Sequence, residues 1–325
     1  MGSTVSASCS PRTIDPIAAT PPSAVGPTPP PGNRTSAIVF AYNNAAGLRR
    51  LLPEVLATSV EEVIVMYGGT DDTRSVLDSF SDPRLMAVFE EERTGKWDAF
   101  NRGVGRATGD VVFLVSGDVQ LGPDAFPRLL HRIVGGAGVA FPRVEPSNVH
   151  SWVTRVGARL WSLRDAQHAE ATRLGLTVHG GELQAVRREL LETIPPIINE
   201  DAWVCLRAAE RGYSVVYERE AVVSNVVPET FRDLLAQRTR INFGHFQLWQ
   251  AGYLPSTLDT LLVRRPGLFV RIFWKSILAH PRELGTIPVL AFLEGIALVR
   301  GYVDHRRGRD YTRWQLLGST RRSPA

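Results

Sequence analysis

The feature that most constrains this chain is a repeated alternation that begins at Ser36. Short β-branched and apolar runs (SAIVFAYN, EEVIVMYGG, RLMAVFEEE, DVVFLVSGD) are separated by amphipathic stretches (AAGLRRLLPEVLAT, TRSVLDSF, KWDAFNRGVGRAT). The apolar runs are continuous, so each predicted strand is buried on both faces. A helix between consecutive strands supplies the crossover that a parallel pair requires. The pattern therefore predicts an α/β fold: a Rossmann-like, mostly parallel sheet with helices on both faces. Ligands in such sheets bind beyond the carboxyl ends of the strands, so the residues that follow each strand carry the interest.

The flanks differ in character. Residues 1–34 are rich in Pro, Ser, Thr and Ala and lack aromatics, and such an arm is expected to stay disordered. The folded domain is expected over residues 35–257, with a C-terminal apolar helical segment over 258–325. That segment holds TLLVRRPGLFVRIFWKSILAH and IPVLAFLEGIALVRGYV. The second run has 17 residues and includes Glu294 and Arg300. A spanning helix needs about 20 apolar residues. Two readings stand: interfacial helices lying on a membrane, or helices that pack on the domain.

Composition narrows the partners. The net charge of +4 is not concentrated in one run, so nothing points to nucleic acid. Cys9 and Cys205 cannot form a disulfide framework, and Cys205 is expected to be a buried small apolar residue. A reducing cytoplasm fits, and the first residues lack the apolar region of a secretory signal. The expected location is cytoplasmic, peripheral at the inner face of the cell membrane if the tail is interfacial.

Asp71 and Asp72 follow the second predicted strand and Asp118 the fourth, while Asp201 heads a predicted helix. Carboxylates converging from several strand ends can bind a divalent cation through oxygen. Such a cation could hold a diphosphate and stabilise charge on it as it leaves. The alternative for each aspartate alone is a turn or a helix cap.

Residues 36–250 resemble the inverting family 2 glycosyltransferases of the GT-A type, motif after motif in order. AYNN at 41–44 is similar to the first loop, GKWDAFNRGVGRATGDVVFLVSGD at 95–118 to the helix and strand that lead to an Asp-x-Asp metal motif. VIVMYGGTDDT at 63–73 looks like the second strand and nucleotide turn, NED at 199–201 like the acceptor-side motif, and AQRTRINFGH at 236–245 like Gln-x-x-Arg-Trp. The chain departs from the pattern at four places. Tyr67 stands where many members have an acidic residue that contacts the uracil base, Ser116 replaces the first carboxylate of Asp-x-Asp, Ile241 the Trp, and Ala41 the first-loop Pro.

The resemblance implies a nucleoside diphosphate sugar donor, an acceptor that is a lipid-linked sugar, a polysaccharide or a small molecule, and a divalent metal, manganese or magnesium. It implies Asp201 as general base with Glu200 shaping the acceptor pocket, and Asp118 as metal ligand with His245 as a possible second. Donor contacts are expected from Ala41, Tyr42, Asn43, Tyr67, Asp71, Lys96, Ser116, Gly117, Gln237, Arg238 and Arg240. His179 could line the sugar pocket. Uridine is the default base, with guanosine and thymidine open. The rival reading is a catalytically degenerate scaffold at the membrane, to which Ser116 and Tyr67 lend weight.

Overall fold

The computed structural model describes residues 34–313. The arm expected over 1–34 falls almost wholly outside them, as do Cys9 and the last residues of the tail. The first half follows the predicted alternation: β1 (Thr35–Tyr42), α1 (Ala45–Leu56), β2 (Glu62–Gly68), α2 (Thr73–Asp78), β3 (Leu85–Phe89), α3 (Lys96–Val104) and β4 (Val111–Ser116). These four strands are parallel neighbours in the order β3-β2-β1-β4.

Successive strand side chains point to opposite faces, and here they feed two cores. Ala37, Val39, Val63, Val65, Phe113 and Val115 pack with Leu48, Leu52 and Val55 of α1 on one side. Ile38, Ile64, Met66, Val112 and Leu114 pack with Ala99 and Phe100 of α3 on the other. Gly103 lets α3 lie this close, since a Cβ there would come within 2.8 Å of Ile38 Cγ2.

The second half is mixed. It comprises β5 (Gln120–Leu121), α4 (Ala125–Val134), β6 (Val139–Pro146), α5 (Trp152–Arg173), β7 (Leu183–Arg187), α6 (Glu200–Glu210), β8 (Val215–Asn225) and α7 (Phe231–Gln250). The full sheet runs β3-β2-β1-β4-β7-β6-β8-β5. Strand β7 is antiparallel to both β4 and β6, so its start lies beside the end of β4, with Leu183 opposite Val115. The sequence reading does not mark β6. Its prolines, Pro142 and Pro146, remove ladder donors, and the β6–β8 register shifts between Pro142 and Arg143.

Three helices end the described chain: α8 (Leu258–Arg264), α9 (Pro266–Ala279) and α10 (Thr286–Arg306). A third core joins Val156, Leu160 and Leu163 of α5 and Leu234 of α7 to Leu290 and Leu293 of α10. The Arg238–Glu294 ion pair at 2.6 Å ties α7 to α10. Gly301 meets α7 closely, a Cβ there lying 3.0 Å from Thr239 O. The tail thus packs on the fold through one face. Its other face is apolar and open: Val263 is 80% exposed, Leu278 76% and Phe292 71%. Helix α10 is long and apolar enough to cross a membrane, judged by length and composition.

Candidate active site

A cavity of about 300 Å³ opens at the carboxyl edge of β1 and β4. The chain has no choice about what arrives there. Strand β1 delivers Phe40, Ala41 and Tyr42, β4 delivers Ser116, Gly117 and Asp118, and the loop before β7 delivers His179, Gly181 and Glu182. The reversed direction of β7 is what brings that loop to this edge. Two glycines permit the crowding. A Cβ at Gly117 would stand 2.6 Å from Phe40 O, and one at Gly181 3.0 Å from Asp201 Oδ2.

The head of α6 adds Asn199, Glu200 and Asp201, and α3 adds Lys96. Asn199 donates from Nδ2 to Ile241 O at 3.0 Å, locking this turn to α7. Lys96 Nζ lies 2.5 Å from Glu200 Oε1. Burial alone would lower the Lys96 pKa, but Glu200, Asp201 and Asp118 outweigh it and raise it. Lys96 is therefore a cation, and Glu200, 6% exposed, is committed to it. Asp118 is an exposed carboxylate on the cavity wall.

Helix α7 contributes Gln237, Arg240 and Ile241. Residues three and four apart share a helix face. Arg238 therefore turns away, and it donates from Nε to Glu294. Burial lowers the Arg240 pKa to about 10, with Glu200, Asp118 and Asp201 opposing, so it stays charged at neutral pH.

Four more expected donor or metal residues lie off the cavity lining. Asn43 accepts on Oδ1 from the amides of Thr70 at 2.6 Å and Asp71 at 3.2 Å, knitting two loops together. Asp71 accepts from Ala45 N at 3.0 Å and Thr73 N at 3.1 Å, which is the turn-and-cap role open to it from the start. Tyr67 is buried and its ring meets Phe89 at 5.3 Å. His245 packs edge-on to His179 at 5.7 Å. Both histidines are driven down mainly by burial and secondarily by neighbouring groups that include Arg164 and Arg238, His179 to about 3, so both are neutral.

Other cavity residues escape a sequence reading: Glu90, Arg93, Arg164, Glu182 and Asn225. Glu90 alone had a signal, because it follows β3 directly.

Among the described residues no group of three or more His, Cys, Asp or Glu side chains could hold a metal. A hard cation does not need such a cage. Magnesium in particular binds through one or two carboxylates plus substrate phosphates, and Asp118 in an open cavity fits that arrangement.

Comparison with known proteins decides the family, since residues 30–244 match the family described as glycosyltransferase like family 2. The chain belongs to that glycosyltransferase family. This glycosyltransferase is 25% identical to an N-acetylglucosaminyltransferase of Mesorhizobium japonicum, over 92% of its own length and 77% of the relative's. It is 23% identical to an undecaprenyl-phosphate 4-deoxy-4-formamido-L-arabinose transferase of Proteus mirabilis, and spans about half of that relative (51%). Among solved structures, it resembles the mannosyltransferase PcManGT of Pyrobaculum calidifontis, determined with GDP-Man and Mn2+. The TM-score is 0.59 at 20% identity, covering 88% of this chain and 90% of that one. That likeness shows the GT-A fold, and with it the family establishes a sugar-transferring enzyme.

Proposed function

We propose that this glycosyltransferase is a metal-dependent, inverting enzyme that moves a sugar from a nucleoside diphosphate sugar to an acceptor hydroxyl. The observation that carries the reading is the convergence of Asp118, Asp201 and Arg240, from three separate elements, on one cavity. In a single displacement the hydroxyl attacks the anomeric carbon as the diphosphate departs from the opposite face. The hydroxyl gives its proton to a carboxylate within hydrogen-bond reach. Asp201 is that carboxylate, because the neighbouring Glu200 is held by Lys96 and instead shapes the acceptor side.

Charge that grows on the departing diphosphate is met by Arg240, whose planar fork suits phosphate oxygens, and by Lys96. Asp118 would hold a divalent cation together with the donor phosphates, and the cation when bound would neutralise further charge. Ala41, Tyr42, Ser116, Gly117 and Gln237 line the donor's path. The names of the relatives support a lipid-linked or polysaccharide acceptor. The open apolar face of α8 to α10 supports a peripheral position at the inner membrane face.

The test is release of nucleoside diphosphate from a panel of donor sugars. Release should vanish with chelator and return with manganese or magnesium. Asp118→Ala should lose about a hundredfold or more even at saturating metal, the scale on which transition-state charge stabilisers act. Undiminished release in excess chelator would overturn the reading.

A further inference from the structure

The cavity spans the sheet on both sides of β4. Tyr42, at the end of β1, lies to one side of Asp118, while Glu182, before β7, and Asn225, at the end of β8, lie to the other. Helix α5 covers this second side and brings Arg164 to the cavity wall. If Asp201 takes the acceptor's proton and the donor diphosphate sits at Asp118 and Arg240, the rest of the acceptor falls on the β7–β8 side. This inference rests on that reading.

The cations of the cavity differ in what they already hold. Lys96 is paired with Glu200 at 2.5 Å, and Arg93 lies over the Tyr42 ring at 4.1 Å from its centroid. Arg240 faces Glu200, Asp118 and Asp201. Arg164 is half-buried and makes no hydrogen bond or ion pair with the described residues. Its guanidinium rests on the Trp161 ring at 5.0 Å, one turn earlier on the same helix, which covers one face and steadies the plane. Five N–H donors are thus left unmet by the protein in an open cavity.

The neighbouring charges do not satisfy it. Arg238, the nearest like charge in its surroundings, is committed to Glu294 at 2.6 Å. Glu182, the first opposing charge, accepts from Gly181 N at 3.2 Å and from Asn225 Nδ2 at 3.5 Å. Burial pushes the Glu182 pKa up against the pull of Arg164, so this carboxylate can take a proton when another anion arrives.

Ligand chemistry decides what meets such a group. A guanidinium fork matches a carboxylate or a phosphate with two parallel bonds, each strengthened by charge. A neutral hydroxyl meets one N–H at a time and leaves the half-buried charge without a counter-ion. We infer that Arg164 binds an anionic group on the acceptor, a carboxylate or a phosphate, so that the acceptor is an acidic sugar or a phosphorylated hydroxy compound.

Two successive titrations test the inference. The full chain is first titrated with manganese and UDP, GDP or dTDP, and the nucleotide that binds tightest is kept saturating so that the diphosphate site is filled. Glucose, glucuronate and glucose 6-phosphate are then added, with binding followed by ligand-detected NMR. At least one anionic sugar should bind about tenfold or more tighter than glucose, as bonds to a charged group imply. Preference for glucuronate would name a carboxylate, and preference for glucose 6-phosphate a phosphate. Arg164→Gln should erase the preference, and Arg164→Lys, which keeps the charge without the fork, should retain part of it. Equal binding of the three sugars would overturn the assignment, as would a preference that survives in Arg164→Gln. Either result leaves the nucleotide site standing. If no nucleotide bound in the first titration, the reading of the cavity itself would fall. The comparison of the sugars on the unaltered protein decides the matter even if a variant does not fold.

Discussion

Glu200 and Asp201 are adjacent in the chain yet meet different surroundings, because neighbouring helix positions are turned about 100° apart. One is clamped by Lys96; the other faces the cavity beside Gly181. The buried histidines show the same power of surroundings. His168, His179 and His245 are all held below their ordinary value, with burial the first cause in each. Between those folded values and the unfolded value of about 6.5, the unfolded chain binds more protons, so stability falls as pH drops below about 6.5. Each histidine contributes up to about 1.4 kcal/mol per pH unit. Melting curves from pH 7.5 to 5 should show this acid limb, and His168→Gln should flatten it; a melting temperature constant over that range would contradict the account. At this scale much of the site was legible. Asp118, Lys96, Asp201 and Arg240 are charged residues at strand ends or helix starts, or in a spaced motif. Arg164 was not legible, because it lies mid-helix, and only the packing of α5 decides which face meets the cavity.

Elements follow from the alternation wherever strands are apolar and β-branched, as in β1, β2 and β4. They fail to announce themselves where tertiary pairing overrides local preference. Strand β6 carries two prolines and pairs with β8 through a bulge. The antiparallel β7 is LQAVR, whose Gln184 and Arg187 break the apolar pattern, and the sequence reading does not mark it as a strand, yet its direction is what brings Gly181 and Glu182 to the mouth. Arg238 and His245 show the same limit within α7, where neighbouring positions belong to different faces. The tight seat of α3 on β1 and β2 gives a direct test of the element scale. Gly103→Ala forces a methyl against Ile38 and should cost about 1–3 kcal/mol, as overpacking does. Thermal or denaturant melting would read the loss, with turnover of the folded fraction retained. An unchanged melting point would mean that α3 has room to move.

For the molecule as a whole, the packing reading of the tail holds for its inner face, and the interfacial reading is a proposal for its outer face. Its inner face packs on α5 and α7, and its outer face leaves Val263, Trp274, Leu278 and Phe292 exposed. Arg264, Arg265, Arg282 and Arg300 lie in the same segment. Exposed apolar patches rimmed by polar residues mark interaction surfaces, and arginine beside large apolar side chains suits an anionic interface. The full chain should sediment with anionic vesicles, less so at high salt. Replacing the exposed Leu278 and Phe292 together by Glu should abolish sedimentation without lowering the melting temperature. A full chain that ignores such vesicles would reduce the tail to a packing element.

The central claim is that Asp201 accepts the acceptor's proton. Asp201→Asn keeps shape and hydrogen bonding but cannot take that proton. Transfer by this variant, measured beside the parent at saturating donor, should fall by about a hundredfold to ten-thousandfold, the usual cost of a lost general base. Donor affinity and melting temperature should barely move, since the group touches the acceptor rather than the nucleotide. Transfer at the parental rate would contradict the account and send the search for the base elsewhere in the cavity.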